Sequence, residues 1–410
     1  MADSDIPTLH LVARRLPRLR SISLSNVTVD WAGIPLSQLT SLELYCITPN
    51  DTDDGSLTEL LNLLESATSL EHFTYEFDRQ ASFEDDAAAR LVSLPHIRRF
   101  SLTGFGEGMA HILSHIHIPS DAQLFLCVVD EEDEDDLRLV SGVLPPRSTH
   151  LPCLIDARYL LVWVELGNIH IIADTKSTPL WQARPWRYNP EYKWSWPPSI
   201  VNGGKTTTVK PEPAFSMTHW GAGDATEDWI LDQLLEELAA TFPPTVETLV
   251  VRGYVSQSSL FDTSRWRDTL GAFPCLRELD IVAEDCDVSR FPRSLYDRSF
   301  GMGTDQSPPC PHLRSLFLRF NLYNTAGKQT LRDLCAALKQ RADQGLRLEV
   351  LSLFLEPEPG LPLRPYRVPE GPNDPYFLHQ LPGRLRGTQQ QLESLVDVFT
   401  LQLRIGEQTA

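Results

Sequence analysis

One apolar spacing recurs along the chain and limits the folds that the chain can adopt. It places apolar residues at the first, fourth and sixth positions of a window, as in Leu19, Ile22 and Leu24. The nine windows, of which that at Ala122 is weaker, begin at Leu19, Leu39, Leu70, Ile97, Ala122, Val246, Leu276, Leu313 and Leu348. Proline lies two residues before the first position in five of them, whereas the 31 prolines among 410 residues would supply fewer than one by chance.

The distances between windows are those of a repeat protein. Successive windows begin 20 to 31 residues apart in the first half and 30 to 37 apart in the second. One such unit can bury its apolar face only against its neighbours. Amphipathic segments between the windows predict helices beginning at Ser56, Asp85, Thr226 and Thr330. The sequence therefore predicts an α/β fold: a leucine-rich-repeat-like solenoid with a curved, mainly parallel sheet and convex-side helices, interrupted by a β-hairpin and a Trp-rich insertion.

The beginning of the chain resembles a known family. The runs "LPRLRSISL", "DW" and "LTSLEL" follow one another in the order usual for the leucine-rich-repeat region of F-box proteins from mushroom-forming fungi. In that family an F-box docks to the adaptor of a cullin-type ubiquitin ligase, and the repeats hold the substrate. We expect the F-box itself to be missing from this sequence, because about 15 residues precede the first repeat and an F-box needs roughly 40 to 50. The resemblance thus implies substrate binding, with adaptor binding expected only if an F-box lies upstream.

Four regions are predicted along the chain. Residues 1–129 hold the N-terminal repeats, and residues 130–225 hold an acidic loop, a hairpin and a Trp/Pro-rich insertion within the same solenoid. Residues 226–355 hold the C-terminal repeats, and residues 356–410 a Pro-rich arm and a terminal cap. The acidic run from Asp130 to Asp136 is expected to be a solvated loop, with a Ca²⁺ site or a contact with a basic partner as alternatives. The hairpin is expected at Gly167 and Asn168.

The concave face is the predicted partner-binding surface. The fourth and sixth residues of a window, which follow its first residue by three and five places, point into the core. The residues that follow the first by two, four and six places therefore lie on the opposite face of the strand. The predicted positions are mostly polar: Ser21, Ser23, Ser41, Glu43, His72, Thr74, Arg99, Ser101, Thr248, Arg252, Glu278, Asp280, Arg319 and Ser352. In the middle of the chain, the window at Ala122 assigns Leu124, Leu126 and Val128 to this face, where apolar residues need a cover.

Four of the nine tryptophans lie close together in the insertion, at Trp181, Trp186, Trp194 and Trp196. Two interpretations are open for this segment. It is either an arm folded over the apolar middle of the concave face or an aromatic recognition patch for a partner.

Charge and cysteine content narrow the function. With 36 Lys and Arg against 55 Asp and Glu, the net charge of −19 disfavours nucleic acid and anionic membrane and favours a basic or neutral protein partner. The seven cysteines form no Cys-x-x-Cys pair, and the N-terminus has no secretory signal, so a cytoplasmic or nuclear protein is expected.

No motif indicates an enzyme, a cofactor or a metal site. The run "NGGKTTT" lacks the glycine that a phosphate-binding loop needs at Ser199, and no metal partner is spaced to join His111, His115 and His117, which are expected in a loop. We therefore expect a non-enzymatic protein-interaction module. It is either the substrate-binding repeat region of an F-box-type ubiquitin ligase receptor or a stand-alone leucine-rich-repeat scaffold with no link to ubiquitin ligase.

Overall fold

The computed structural model divides into two compact units. Unit 1 comprises Met1–Thr175 and Ala214–Val246, and unit 2 comprises Lys176–Pro213 and Glu247–Ala410. The residues that the structure describes are 8–10, 18–31, 34, 36–45, 57–77, 90–129, 138–145, 151–165, 168–176, 213–220, 227–254, 263–284, 291–296, 309–321, 325–356, 377–378 and 383–404. The acidic run 130–136, the tryptophan cluster 181–198 and residues 357–376 of the Pro-rich arm lie outside them.

Unit 1 contains twelve described strands and four described α-helices. The strands are β1 Thr8–His10, β2 Ser21–Ser25, β3 Thr28–Asp30, β4 Ser41–Tyr45, β5 His72–Glu76, β6 Val92–Ser93, β7 Arg99–Gly104, β8 Ile116–His117, β9 Gln123–Val129, β10 Tyr159–Glu165, β11 Asn168–Asp174 and β12 Phe215–Trp220. The helices are α1 Leu57–Ser66, α2 Gly106–Ser114, α3 Pro152–Ile155 and α4 Glu227–Thr241, with a 3₁₀ turn at Leu36–Gln38.

Most strands of unit 1 form one sheet with the order β10-β11-β12-β9-β7-β5-β4-β2. Pairing is parallel from β2 to β9 and on to β12, whereas β11 is antiparallel to both of its neighbours. Two short parallel pairs, β1 with β3 and β6 with β8, stand apart from this sheet.

Unit 2 repeats the same construction. Its strands are β13 Thr248–Tyr254, β14 Glu278–Glu284, β15 Ser315–Asn321, β16 Leu348–Glu356, β17 Phe377–Leu378 and β18 Val396–Arg404. Its helices are α5 Thr263–Ala272, α6 Phe291–Ser294, α7 Thr325–Asp343 and α8 Arg386–Leu395, with a 3₁₀ turn at Gly383–Leu385. The strands β13-β14-β15-β16-β18 are parallel neighbours, and β17 pairs antiparallel with the end of β18. No helix among the described residues has the length and apolarity needed to cross a membrane.

The α/β class and the mostly parallel pairing predicted from the sequence are confirmed. Each of the nine windows leads into a strand, and in eight of them the fourth and sixth positions point to the core. In unit 2, Leu249, Leu279, Leu316 and Leu351 stand opposite one another on successive strands, and all four are buried. The apolar residues of successive windows are thus aligned across neighbouring strands, and the aligned rows form the core.

In the remaining window, which begins at Ala122, the predicted faces of the strand are reversed. Strand β9 pairs Phe100 with Leu124 and Leu102 with Leu126, so Leu124, Leu126 and Val128 point into the core. The prediction that these three residues lie on the concave face is therefore wrong by one position. The run "LFLCVV" is apolar on both faces, so alternation gave no guide and pairing with β7 decided the register.

Three helices between the windows differ from the prediction. The helix expected from Asp85 does not extend to Val92 and Ser93, which form β6, and residues 81–89 lie outside the described part. Helices α2 and α5 were not predicted. The hairpin is confirmed, since β10 and β11 are antiparallel, but Asn168 is the first residue of β11, opposite Glu165, and not part of the turn as expected.

The expected terminal cap is a helix followed by a strand. Strand β18 pairs Leu348 with Val396, Leu351 with Phe399 and Leu353 with Leu401. Val396, Phe399 and Leu401 therefore form a further window with the same spacing.

Candidate protein-binding faces

In each sheet, the face opposite the buried rows is called the second face. In unit 1 the pairing of β2, β4, β5 and β7 aligns Ser21 with Ser41, His72 and Arg99, and aligns Ser23 with Glu43, Thr74 and Ser101. The register thus brings together all eight residues that the sequence assigned to this part of the concave face. Ser21, Ser23 and His72 are exposed, and the others are partly exposed.

Two interactions fix charged side chains on the second face of unit 1. The Tyr45 hydroxyl donates a hydrogen bond to Glu43 Oε2 at 3.3 Å, and burial, followed by the charge of Glu43, raises the pKa of Tyr45. Tyr45 therefore remains a donor at neutral pH. The Arg99 guanidinium lies 4.4 Å from the centre of the Phe125 ring, a cation–π contact that orients it.

The same face is buried where it reaches β9 and β12. Phe125 and Ser216 stand opposite each other, Ile172 and Leu161 continue the row, and all four are buried. This part of the face is therefore not an accessible surface. The residues expected to need a cover, Leu124, Leu126 and Val128, lie in the core instead. That the tryptophan segment covers this part of the face stays a prediction, because the segment lies outside the described residues.

A histidine lies in this buried part. The His170 Nδ1 atom is 3.1 Å from Thr218 Oγ1, and the Trp163 ring centre is 5.9 Å from that of His170. Burial lowers the pKa of His170 to about 4, so its ring is neutral at physiological pH. Trp181, Trp186, Trp194 and Trp196 lie outside the described residues, and the aromatic patch stays a prediction.

In unit 2 the register again places the predicted residues on one face. Thr248 lies opposite Glu278, Asp280 and Ser352 both flank Phe317, and Arg252 and Arg319 both flank Val282. Their exposure differs widely. Thr248 is buried, Arg319 is only 9% exposed, Arg252, Asp280 and Ser352 are partly exposed, and Glu278 is exposed.

The arginines of unit 2 already interact within the protein. Arg252 Nη2 lies 3.3 Å from Asp280 Oδ2, and the Arg319 guanidinium lies 5.2 Å from the centre of the Phe354 ring. Burial raises the pKa of Asp280, while Arg252 and then Arg319 act in the opposite direction. Among the unit 2 residues predicted to bind a partner, Glu278 is therefore the charged side chain most accessible to one.

Three apolar residues on this face are not among those predicted from the sequence. Phe317 and Val350 are partly exposed, and Val398 is 53% exposed. Phe317 follows Leu313 by four residues, Val350 follows Leu348 by two, and Val398 follows Val396 by two. The spacing within a window therefore assigns all three residues to this face. The prediction was limited to polar residues and to nine windows, and the spacing that begins at Val396 lies beyond those nine.

The other candidate groups do not form a reactive centre in the described structure. Burial raises the pKa of the thiols of Cys153 and Cys310 to about 12 and that of Cys335 to about 11, so they stay protonated at neutral pH. His111 lies in α2 and not in a loop, and His115, just after this helix, places its Nδ1 2.7 Å from the carbonyl oxygen of Arg90. Among the described residues no three His, Cys, Asp or Glu side chains are grouped as metal ligands.

No protein-family model, curated protein or solved structure matches this chain. Its function is therefore inferred from the two faces.

Proposed function

We propose that the chain is a non-enzymatic protein-interaction module, a leucine-rich-repeat-like scaffold that binds a protein partner through the second faces of its sheets. The observation that supports this is the alignment of non-core positions, because the register places Ser23, Glu43, Thr74 and Ser101 side by side on four parallel strands. Residues in such rows can differ from one repeat to the next without disturbing the core.

The class of partner follows from charge. A net charge of −19 repels phosphate backbones and anionic lipids, so a neutral or basic protein surface is the favoured partner. The exposed side chains of unit 1, among them Ser21, Ser23 and His72, offer hydrogen bonds to such a surface.

The sequence resemblance adds a cellular role to this proposal. It favours the substrate-binding repeat region of an F-box-type ubiquitin ligase receptor, acting in the cytoplasm or nucleus. The alternative is a stand-alone scaffold with the same binding faces and no link to ubiquitin ligase. The adaptor would bind only to a protein that carries an F-box upstream of these repeats.

A quantitative co-precipitation experiment tests the proposal. The face variant carries Ser23→Lys, Glu43→Lys, His72→Lys and Glu278→Lys, all at accessible positions of the second faces. The helix variant carries Thr58→Lys, Glu59→Lys, Gln390→Lys and Glu393→Lys, at exposed positions of α1 and α8, and changes the net charge by the same amount. Both variants should fold, since exposed substitutions usually change stability by no more than about 0.5 kcal/mol each.

The partners of the wild-type chain should be lost from the face variant and kept by the helix variant. Retention of all partners by the face variant would refute the proposal. Subunits of a cullin-type ligase among the proteins recovered with an F-box-bearing form would support the receptor role. Their absence, with the other partners retained, would favour the stand-alone scaffold.

A further inference from the structure

We propose that Phe317, Val350 and Val398 form a docking strip for a protein segment that presents apolar side chains beside a lysine or arginine. This inference rests on the proposed function and goes beyond it by giving a location in unit 2 and a chemistry for the partner.

The three residues are neighbours on adjacent strands. Val350 on β16 stands opposite Val398 on β18, and Phe317 on β15 lies diagonally from Val350, two residue pairs further along the ladder on the same face. Because paired strands are about 4.8 Å apart, the strip is roughly 10 Å across. Cross-strand neighbours at this spacing present one continuous apolar surface.

The strip is accessible to solvent although its side chains are apolar. Apolar side chains on a second face lie away from the core, and Val398 is the most exposed of the large hydrophobic residues in the described part of the chain. In unit 1 the accessible second-face residues from β2 to β7 are serine, threonine, glutamate, histidine, tyrosine and arginine. An apolar centre inside a polar surround is the arrangement found in protein–protein interfaces.

Charge complementarity selects the occupant. Glu278 on β14 lies beside the strip, is exposed, and forms no ion pair with any described residue. The neighbouring Asp280 is already paired with Arg252, and Arg319 lies against the ring of Phe354. Arg314 and Arg347, at the starts of β15 and β16, are paired with Glu349 and Asp397. The charge left to a partner beside the strip is therefore that of Glu278, it has the sign of the chain's net charge, and a cationic side chain of the partner would complement it.

A random-peptide phage library selected on the immobilised full-length chain supplies the probe. The selected peptides should carry apolar residues beside Lys or Arg. Their dissociation constants should rise about tenfold or more for Val398→Glu and for Val350→Glu, the loss expected at an interface hot spot. Ile155→Glu is the matched control, because Ile155 is an exposed apolar residue of helix α3 in unit 1, 43% accessible, and belongs to no second face, so its substitution should leave binding unchanged. Glu278→Lys should shift a repeated selection towards Asp- and Glu-containing peptides.

Thermal melts show whether each variant is folded, and Val398→Glu keeps the test decisive if the partly buried Val350→Glu unfolds. Peptides that bind Val398→Glu as tightly as wild type, peptides without basic residues, or an unchanged selection on Glu278→Lys would each overturn the proposal. An empty selection would overturn it as well.

Two further outcomes separate this inference from the proposed function. Peptides lost on Glu43→Lys but kept by Val398→Glu would remove the strip and leave binding through the second faces intact. A wild-type chain that sediments as a dimer and becomes a monomer in Val398→Glu would make a second copy of this chain the occupant, contradicting the basic partner.

Discussion

The carboxylate of Glu237 in α4 accepts a hydrogen bond from the backbone N–H of Val140 at 2.6 Å, across 97 residues of sequence. Its Oε2 atom also accepts the N–H of Ser141 at 2.7 Å, and its Oε1 atom accepts from Gln233. Glu237 is buried, so these bonds replace the water that its charge would otherwise bind. The helix is thereby fastened to the turn at residues 138–145.

Replacing Glu237 by Ala should therefore destabilise unit 1. Two backbone donors lose a charged acceptor, and a loss of ~2 to 4 kcal/mol in the free energy of unfolding is expected. Urea denaturation measures it, with Glu236→Ala as the control, because Glu236 is the exposed neighbour on the same helix. Equal stability of the two variants would show that the carboxylate does not hold the turn.

A second prediction concerns the aligned core rows. Leu42 and Leu316 are fully buried between neighbouring strands, so Leu42→Ala or Leu316→Ala should cost ~2 to 5 kcal/mol. Ser23→Ala, on the accessible face of β2, should cost less than about 0.5 kcal/mol. A core variant that keeps the parent's melting temperature would mean that the faces are reversed.

The third prediction concerns a buried cation. Arg341 at the end of α7 is 1% exposed and donates hydrogen bonds to the carbonyl oxygens of Pro309 and Cys310, each at 3.0 Å. Cys310 has a φ of 47°, a left-handed conformation that is strained for a residue other than glycine, and its carbonyl is one that Arg341 holds.

Arg341→Met should destabilise unit 2 by ~3 kcal/mol or more, since both carbonyl oxygens lose a charged donor. Arg341→Lys should recover only part of this loss, because an ammonium group cannot reproduce the planar fork of a guanidinium. Arg332→Met, an exposed position on the same helix, is the control for removal of a positive charge. Similar melting temperatures for Arg341→Met and Arg332→Met would contradict this account.

The fourth prediction is a dependence of stability on pH. Burial lowers the pKa of His170 to about 4 in the folded protein, whereas the ordinary pKa of a histidine is 6.5. Between these values the unfolded chain binds a proton that the folded chain does not, so stability should fall as pH decreases from about 6.5 to about 4. The contribution is at most roughly 3 kcal/mol. Other groups also titrate in this range, so the measured quantity is the difference in the free energy of unfolding between wild type and His170→Gln at each pH. Parallel curves of stability against pH for the two proteins would rule out a contribution from His170.

The sequence predicted the parts of the fold that depend on local periodicity. Leu42, Phe73 and Phe100 lie in the core as the window spacing required, because alternation within a strand determines which face each side chain occupies. The same rule failed at Leu124 and Leu126, where both faces are apolar and only pairing with a neighbouring strand fixes the register.

The details of the candidate site depend on contacts between distant residues. That Arg252 would pair with Asp280 follows from the register of β13 and β14, but that Arg319 would be almost buried against Phe354 does not follow from spacing. The bond from Val140 to Glu237 joins segments with no shared pattern, so no periodicity could have indicated it. Phe317 and Val350 could have been found, because they obey the rule that placed Glu278 on the same face.

The most direct test of the central claim is the affinity of one recovered partner for three forms of the chain, measured by isothermal titration calorimetry. The account predicts that the dissociation constant rises about tenfold or more for the face variant with Lys at positions 23, 43, 72 and 278, and stays unchanged for the helix variant. The contrary result is wild-type affinity in the face variant together with lost affinity when Trp181, Trp186, Trp194 and Trp196 are replaced by Ser. That outcome would make the tryptophan cluster the recognition element and contradict binding through the second faces.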